Sequence, residues 1–291
     1  MTSAVDVPLP DGRVVRAYDS GVPEPEAPTV VWHHGSPHTG EPIEPLAEAA
    51  QARGIRLITY ARPGYGGSTP HPDRDVASAA ADVAAIADAL GVDRFAVVGY
   101  SGGGPHALAC AAMLPERVTA AATLAGVAPY AADDGWFAGM HAPGALRAAA
   151  VSRASRAAFA ETDEFDPGQF VDADWAALDG EWGALGRDAQ RAEAAGPDGL
   201  IDDDVAFTRP WGFELGDVGA PTLLVHGERD RLIPRSHAVR VLAALPRARL
   251  WMRLDAGHVA VLRVVPDALD WLVGRSQVAP DDGSARGGVA R

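Results

Sequence analysis

The chain has 291 residues, 47% of them hydrophobic, and a formal net charge of −14 at pH 7. The length suits one large α/β domain, or such a core with an inserted subdomain, while the acidity argues against nucleic acid and anionic membranes as partners, since both need clustered basic charge. One cysteine rules out an internal disulfide and any cysteine metal cluster, and the absence of lysine (all 25 basic residues are arginine) rules out a lysine Schiff base. No run of 18 apolar residues suggests a membrane span, and residues 1–10 lack the basic and apolar regions of a secretory leader, so a cytoplasmic location is expected.

Residues 5–17 alternate around Pro10-Asp11-Gly12-Arg13, a turn signal, and predict a β-hairpin. A proline-rich connector follows. Residues 28–35 form a short apolar run ending in His34-Gly35, a buried strand. Helical spacing over 41–53 stops near Gly54. Residues 55–60 predict another strand, and Arg62-Pro63-Gly64-Tyr65-Gly66-Gly67-Ser68 a glycine-rich loop. An alanine-rich amphipathic helix is expected over 75–90, closed by Gly91. Residues 95–99 predict a strand, 101–114 a helix with Pro105 in its first turn, and 118–127 a strand.

Strands alternating with helices imply a parallel sheet covered on both faces, with its functional crevice beyond the C-terminal strand ends. The pattern breaks between 130 and 212, where helical segments separated by Gly and Pro predict an inserted cap. Residues 129–213 carry 16 Asp and Glu against 6 Arg and hold four of the seven tryptophans. That acidity has two readings, attraction of a cationic substrate or a solvated face. The aromatics Trp136 and Trp211, with Met140, have two as well: lining an apolar pocket or holding the cap to the core. Core strands resume at 221–227 and 248–254, separated by a helix over 235–245, and a last helix follows Gly257-His258. Residues 276–291 predict a disordered tail.

The centre of the pattern is Gly99-Tyr100-Ser101-Gly102-Gly103. A strand stops at Ser101 and a helix begins at once, with small residues two positions to either side. Such a turn strains the serine, exposes its hydroxyl and places it beside free helix N–H groups. A serine hydroxyl needs a base, and the base needs an orienting acid. His258 follows a strand and Gly257 near the chain end; His226 and His237 are its rivals. His33, His34 and His38 belong to another loop and suit a pocket lining, and His106 suits packing. Asp230, just past a strand, is the expected acid, with Glu228, Asp133 and Asp134 as alternatives. The oxyanion site needs two backbone N–H groups, expected from Gly102 and Ser36; the side chain of Ser36 decides nothing in that role.

His34-Gly35-Ser36-Pro37, Arg62 to Ser68, Gly99 to Gly103, His226-Gly227-Glu228-Arg229-Asp230 and Gly257-His258 occur in the order of the α/β-hydrolase superfamily, which the chain resembles over residues 10–273. The resemblance implies an α/β fold with a mostly parallel, doubly wound sheet of about eight strands. It implies a core over 1–128 and 214–275 and a helical cap over 129–213 that roofs the pocket. It makes Ser101 the nucleophile, His258 the base and Asp230 the acid, with no metal or organic cofactor. Haloalkane dehalogenases and epoxide hydrolases carry an aspartate at the position of Ser101, so those branches are set aside. The expected activity is hydrolysis of a small to medium, largely apolar carboxylic ester, thioester or lactone through an acyl-enzyme. The expected partner is a small-molecule substrate, with His38, Tyr100, Trp136, Met140 and Trp211 as candidate contacts. The alternatives are an aminopeptidase resembling proline iminopeptidases, a perhydrolase- or haloperoxidase-like or hydroxynitrile-lyase-like enzyme, and a non-catalytic ligand receptor.

Overall fold

Apolar side chains on consecutive strand residues point to opposite faces, so a strand apolar throughout needs cover on both sides. The computed structural model describes residues 2–22, 24 and 26–276 and meets that need. Strands β1 (Ser3–Pro8) and β2 (Val14–Asp19) form the expected antiparallel hairpin, with Val7 opposite Val15. Then come β3 (Thr29–His33), α1 (Glu44–Gln51), β4 (Arg56–Tyr60), α2 (Ser78–Ala89), β5 (Phe95–Tyr100), α3 (Gly103–Met113) and β6 (Val118–Leu124). The segment between β6 and β7 holds α4 (Asp134–Phe137), α5 (Gly144–Val151), α6 (Arg153–Ala160), α7 (Asp172–Asp179), α8 (Gly183–Ala194) and α9 (Asp198–Phe207), and no strand. The chain closes through β7 (Thr222–Gly227), α10 (Ser236–Ala244), β8 (Ala248–Arg253) and α11 (Val265–Ser276).

The eight strands form one sheet in the order β1-β2-β4-β3-β5-β6-β7-β8, parallel from β4 to β8. Burial separates the two faces at period two. Val31, Ile58, Val97, Ala121 and Leu224 pack with Ile86 of α2, Leu108 of α3 and Val241 of α10. Their neighbours Trp32, Leu57, Val98, Ala122 and Val225 pack with Leu46 of α1 and Leu269 of α11. Each fully buried aliphatic side chain contributes about 1.5–3 kcal/mol, so this two-faced core is the main source of stability.

The chain runs from β3 to β4 on one side and then crosses back to place β5 on the other. That reversal opens a crevice at the C-terminal ends of β3 and β5, where the His34-Gly35-Ser36 loop and Ser101 emerge.

Several element ends differ from expectation for local reasons. Helix α1 starts at Glu44 rather than 41, with Pro45 in its first turn. Helix α2 starts at Ser78 rather than 75, because the Asp75 carboxylate accepts the Ser78 N–H at 2.9 Å and caps the helix from outside. Strand β6 stops at Leu124 rather than 127, since Ala125 adopts φ +53°, the left-handed region incompatible with a strand. Ser276 ends α11, and residues 277–291, where the tail is expected, lie outside the described residues.

Candidate active site

The turn at Ser101 is as tight as its glycines suggest. Ser101 has φ +51°, rare for a residue with a side chain. Its N–H donates to the Leu124 carbonyl at 2.8 Å, tying the turn to the next strand. A Cβ on Gly99 would lie 2.1 Å from the Gly103 carbonyl oxygen, and one on Gly103 would lie 2.0 Å from that of His33. Only glycine permits either approach, so the two small residues are the steric condition for the turn.

The loop after β8 carries His258 across the sheet to this serine. Ser101 Oγ donates to His258 Nε2 at 2.9 Å, and His258 Nδ1 donates to Asp230 Oδ2 at 2.8 Å. A carboxylate can only accept from Nδ1, so Nδ1 carries the proton and Nε2 keeps its lone pair toward the serine. All three side chains are buried. The other oxygen of Asp230 accepts the N–H groups of Leu232 and Ile233, both at 2.9 Å. Asp230 therefore also organises the turn after β7, and the two tasks fix its orientation.

The rival residues are engaged elsewhere. His226 donates from Nε2 to the Ile233 carbonyl at 2.7 Å. His237 accepts the Ala128 N–H on Nδ1 at 3.1 Å and donates from Nε2 to the Trp136 carbonyl at 2.9 Å; burial lowers its pKa to about 4. Glu228 pairs with Arg235 at 2.7 Å, Asp133 caps α4, and Asp134 is exposed beside Arg147. His106 packs on Phe207 and donates to the Gly102 carbonyl at 2.8 Å. Among the described residues, no group of three or more His, Cys, Asp or Glu is arranged to hold a metal ion.

The loop after β3 brings Ser36 against Gly102. A Cβ on Gly102 would meet Ser36 Oγ at 2.4 Å, so the absence of a side chain at 102 lets the two segments close. Gly102 is the N-cap of α3, where backbone N–H groups have no partner within the helix.

Residues 28–263 match the sequence pattern of the alpha/beta hydrolase fold family. The chain belongs to the α/β-hydrolase fold family. A 50-residue stretch is 40% identical to the 2-hydroxy-6-oxononadienedioate/2-hydroxy-6-oxononatrienedioate hydrolase of Klebsiella pneumoniae, a match spanning 17% of this chain and 17% of that relative's length. Among solved structures, a bromoperoxidase from Bacillus anthracis is similar over 94% of this chain and 100% of its own (TM-score 0.74, 23% identity). A thermophilic esterase from Thermogutta terrifontis is similar over 94% and 100% (TM-score 0.71, 19% identity).

In this α/β-hydrolase the helical insertion reaches the loops around Ser101 and His258 through buried carboxylates that sequence reasoning missed. Asp174 of α7 accepts the N–H groups of Val259 and Ala260, both at 2.8 Å, directly after His258. Asp188 of α8 accepts from His38 Nδ1 and from the Thr39 N–H, both at 3.0 Å, and from Thr39 Oγ1 at 2.6 Å. Burial would raise the Asp188 carboxyl, but its hydrogen bonds from His38 and Thr39 hold it well below the usual range. Asp203 of α9 pairs with Arg62 at 2.6 Å and Arg74 at 2.7 Å, and accepts from Tyr65 Oη at 2.9 Å and Ser36 Oγ at 2.6 Å. Burial works against its ionisation, yet the two guanidinium groups keep it well below the carboxylate range. Its neighbour Asp204, beside Arg156 alone, is pushed by burial up to about 6. For these four aspartates neither reading of the insertion's acidity holds. Each is buried and partnered, and three of them hold loops of the candidate site.

The candidate substrate contacts divide. Tyr100 lies with its ring centroid 5.3 Å from that of His258, and His38 packs against Tyr100, both rings lying close over Gly35, where a Cβ would meet them at 3.0–3.2 Å. Trp136 is 0% exposed, ringed by Tyr130, Phe137 and His237, with its indole N–H shared between the Ala128 and Pro129 carbonyls. Trp211 is buried and donates to the Phe207 carbonyl at 3.3 Å. Trp136 thus ties the insertion to the core through Ala128 and His237, and Trp211 and the half-buried Met140 pack in the same cluster.

Proposed function

We propose that this chain is a serine hydrolase that cleaves a carboxylic ester, thioester or lactone through an acyl-enzyme. One observation carries the reading: the unbroken hydrogen-bond chain from Ser101 Oγ through His258 to Asp230 at a strained strand-to-helix turn. In this reading Ser101 attacks the substrate carbonyl while His258 Nε2 takes its proton. The carbonyl oxygen becomes an oxyanion that accepts from the Gly102 and Ser36 N–H groups. His258 then gives its proton to the leaving alcohol, thiol or ring oxygen. In the second half His258 activates water, and the acyl group leaves as a carboxylic acid. Asp230 keeps the imidazole in the required tautomer and stabilises the imidazolium. The helical insertion acts as the cap and forms the roof of the acyl pocket.

The test compares wild type with Ser101→Ala on p-nitrophenyl esters of graded chain length, alongside fluorophosphonate labelling and mass spectrometry. Wild type should be labelled on Ser101 and turn over esters, and Ser101→Ala should do neither while melting normally. Undiminished ester turnover in Ser101→Ala would sink the reading. Product analysis with and without hydrogen peroxide separates hydrolysis from perhydrolysis on the same triad.

A further inference from the structure

A peptide unit is planar, so fixing its carbonyl oxygen also fixes the direction of the N–H on its far side. The N–H of Ser36 shares its peptide with the carbonyl of Gly35. That carbonyl accepts from Arg62 Nη2 at 3.2 Å and from His34 Nδ1 at 2.6 Å. Arg62 also donates through Nη1 to the His34 carbonyl and through Nη2 to Ser36 Oγ at 2.8 Å, while its own N–H donates to His34 Nε2 at 3.1 Å. One guanidinium thus grips three consecutive residues, 34 to 36. It is held in turn by Asp203, which also accepts from Ser36 Oγ at 2.6 Å. Arg62 is 1% exposed and Asp203 is 0% exposed. Asp203 lies 141 residues further along the chain, on a helix of the insertion.

We propose that Arg62 and Asp203 are positioning residues that aim the Ser36 N–H at the substrate oxyanion, so that docking of α9 is a condition of full catalytic rate. The proposal rests on the serine-hydrolase reading above. Neither residue touches substrate; both act through the 35–36 peptide and the Ser36 hydroxyl. The serine side chain, which sequence reasoning set aside, then has a role: it ties the donor peptide to the insertion. A pair serving stability alone would instead leave transition-state binding unaltered in any variant that stays folded.

The test uses the full chain. Ser36→Ala removes the hydroxyl tether while Asp203 keeps Arg62, Arg74 and Tyr65, so the fold should persist. Its kcat on a p-nitrophenyl ester should fall about tenfold, less than the loss of a whole oxyanion donor, with KM within about twofold. An aryl trifluoromethyl ketone should lose affinity by the same factor. It adds to Ser101 through a new C–O bond, the serine proton passes to His258, and the resulting alkoxide needs the donors. The matching methyl ketone should bind unchanged. Where Asp203→Asn folds, it should lose at least as much kcat; where it does not, Ser36→Ala decides. Folded Ser36→Ala that keeps kcat and trifluoromethyl ketone affinity, or weakens both ketones equally, overturns the proposal. So does a fully active Asp203→Asn. Wild type without ester turnover or Ser101 labelling overturns the hydrolase reading and this proposal with it. Active wild type with an indifferent Ser36→Ala overturns this proposal alone.

Discussion

Ser101 and His258, 157 residues apart in the chain, share a 2.9 Å hydrogen bond from Oγ to Nε2. The bond exists because two strand ends of one parallel sheet deliver the two residues to the same crevice. Its usefulness depends on the proton at Nδ1, which Asp230 fixes.

Replacing Asp230 by Asn tests that dependence. The amide oxygen can still accept from Leu232 and Ile233, which turns the NH2 group toward His258 and forces the proton onto Nε2. Ester kcat should fall on the order of 10⁴-fold, as in other triad enzymes, while the melting temperature changes by only a few degrees. Steady-state kinetics with thermal melts check this, and a kcat within tenfold of wild type would contradict it.

The two glycines at the serine turn should fail in different ways. Gly99→Ala places a Cβ 2.1 Å from a backbone oxygen that has nowhere to go, so a loss of about 3 kcal/mol or more, or failure to fold, is expected. Gly102→Ala meets the Ser36 hydroxyl at 2.4 Å, which can rotate away only by leaving Asp203 and Arg62. It should lose far more activity than stability, as urea melts beside ester kinetics would report.

Asp174→Ala removes the acceptor of two buried N–H groups directly after His258, and of the Val171 N–H at 3.1 Å. Each orphaned buried donor costs about 1–3 kcal/mol, partly recovered by water, so about 2–4 kcal/mol of stability should go. Ester kcat should fall about tenfold as the histidine loop loosens. Hydrogen exchange at Val259 and Ala260 should accelerate together with the drop in rate; unchanged protection there would refute the link.

Acid should destabilise the fold well above the carboxylate range. Burial lowers the pKa of His226 against the opposing pull of Asp230, puts His237 at about 4 and His106 at about 3, and drives His33 and His34 well below 6.5, with the Arg62 guanidinium adding to it at His33, His34 and His106. The unfolded chain binds these protons from about pH 6.5 downward while the folded chain refuses them, so stability falls as pH drops from 6.5 toward 4. Each histidine contributes up to about 1.4 kcal/mol per pH unit in that window. Asp204, raised to about 6, works the opposite way between about 4 and 6, as does Asp82, which burial also raises, and five groups outweigh two. Urea midpoints measured from pH 7 to pH 4.5 should show a slope of several protons; a flat profile would exclude this.

The residues readable beforehand were those whose chemistry is local. Gly99, Ser101 and Gly103 sit within five positions and announce a turn by steric necessity. His258 follows a strand and a glycine, whereas Asp230, just past β7, stands out from Glu228, Asp133 and Asp134 only by the order Ser, Asp, His along the chain. Asp174, Asp188 and Asp203 carry no such mark, and Arg62, although it opens the glycine-rich loop after β4, gives no sign of its partner. A buried charge is defined by a partner across the fold, and Arg62 and Asp203 meet only when α9 lies on the loop after β3. In one dimension Asp202-Asp203-Asp204 resembles a solvated acidic run. The tryptophans were ambiguous for a related reason, since an indole suits a pocket wall and a packed core equally until its N–H finds a carbonyl, as that of Trp136 does.

The buried aspartates set a condition on any redesign of specificity. Helices α4 to α9 resemble an exchangeable module, joined to the core where β6 ends and β7 begins. A chimera that imports a foreign insertion would leave Arg62 and Arg74 as uncompensated buried charges and the backbone after His258 without its acceptor, at a cost of several kcal/mol. Grafts that retain Asp174, Asp188 and Asp203 in register, and vary only the residues between them, should be the ones recovered from a library.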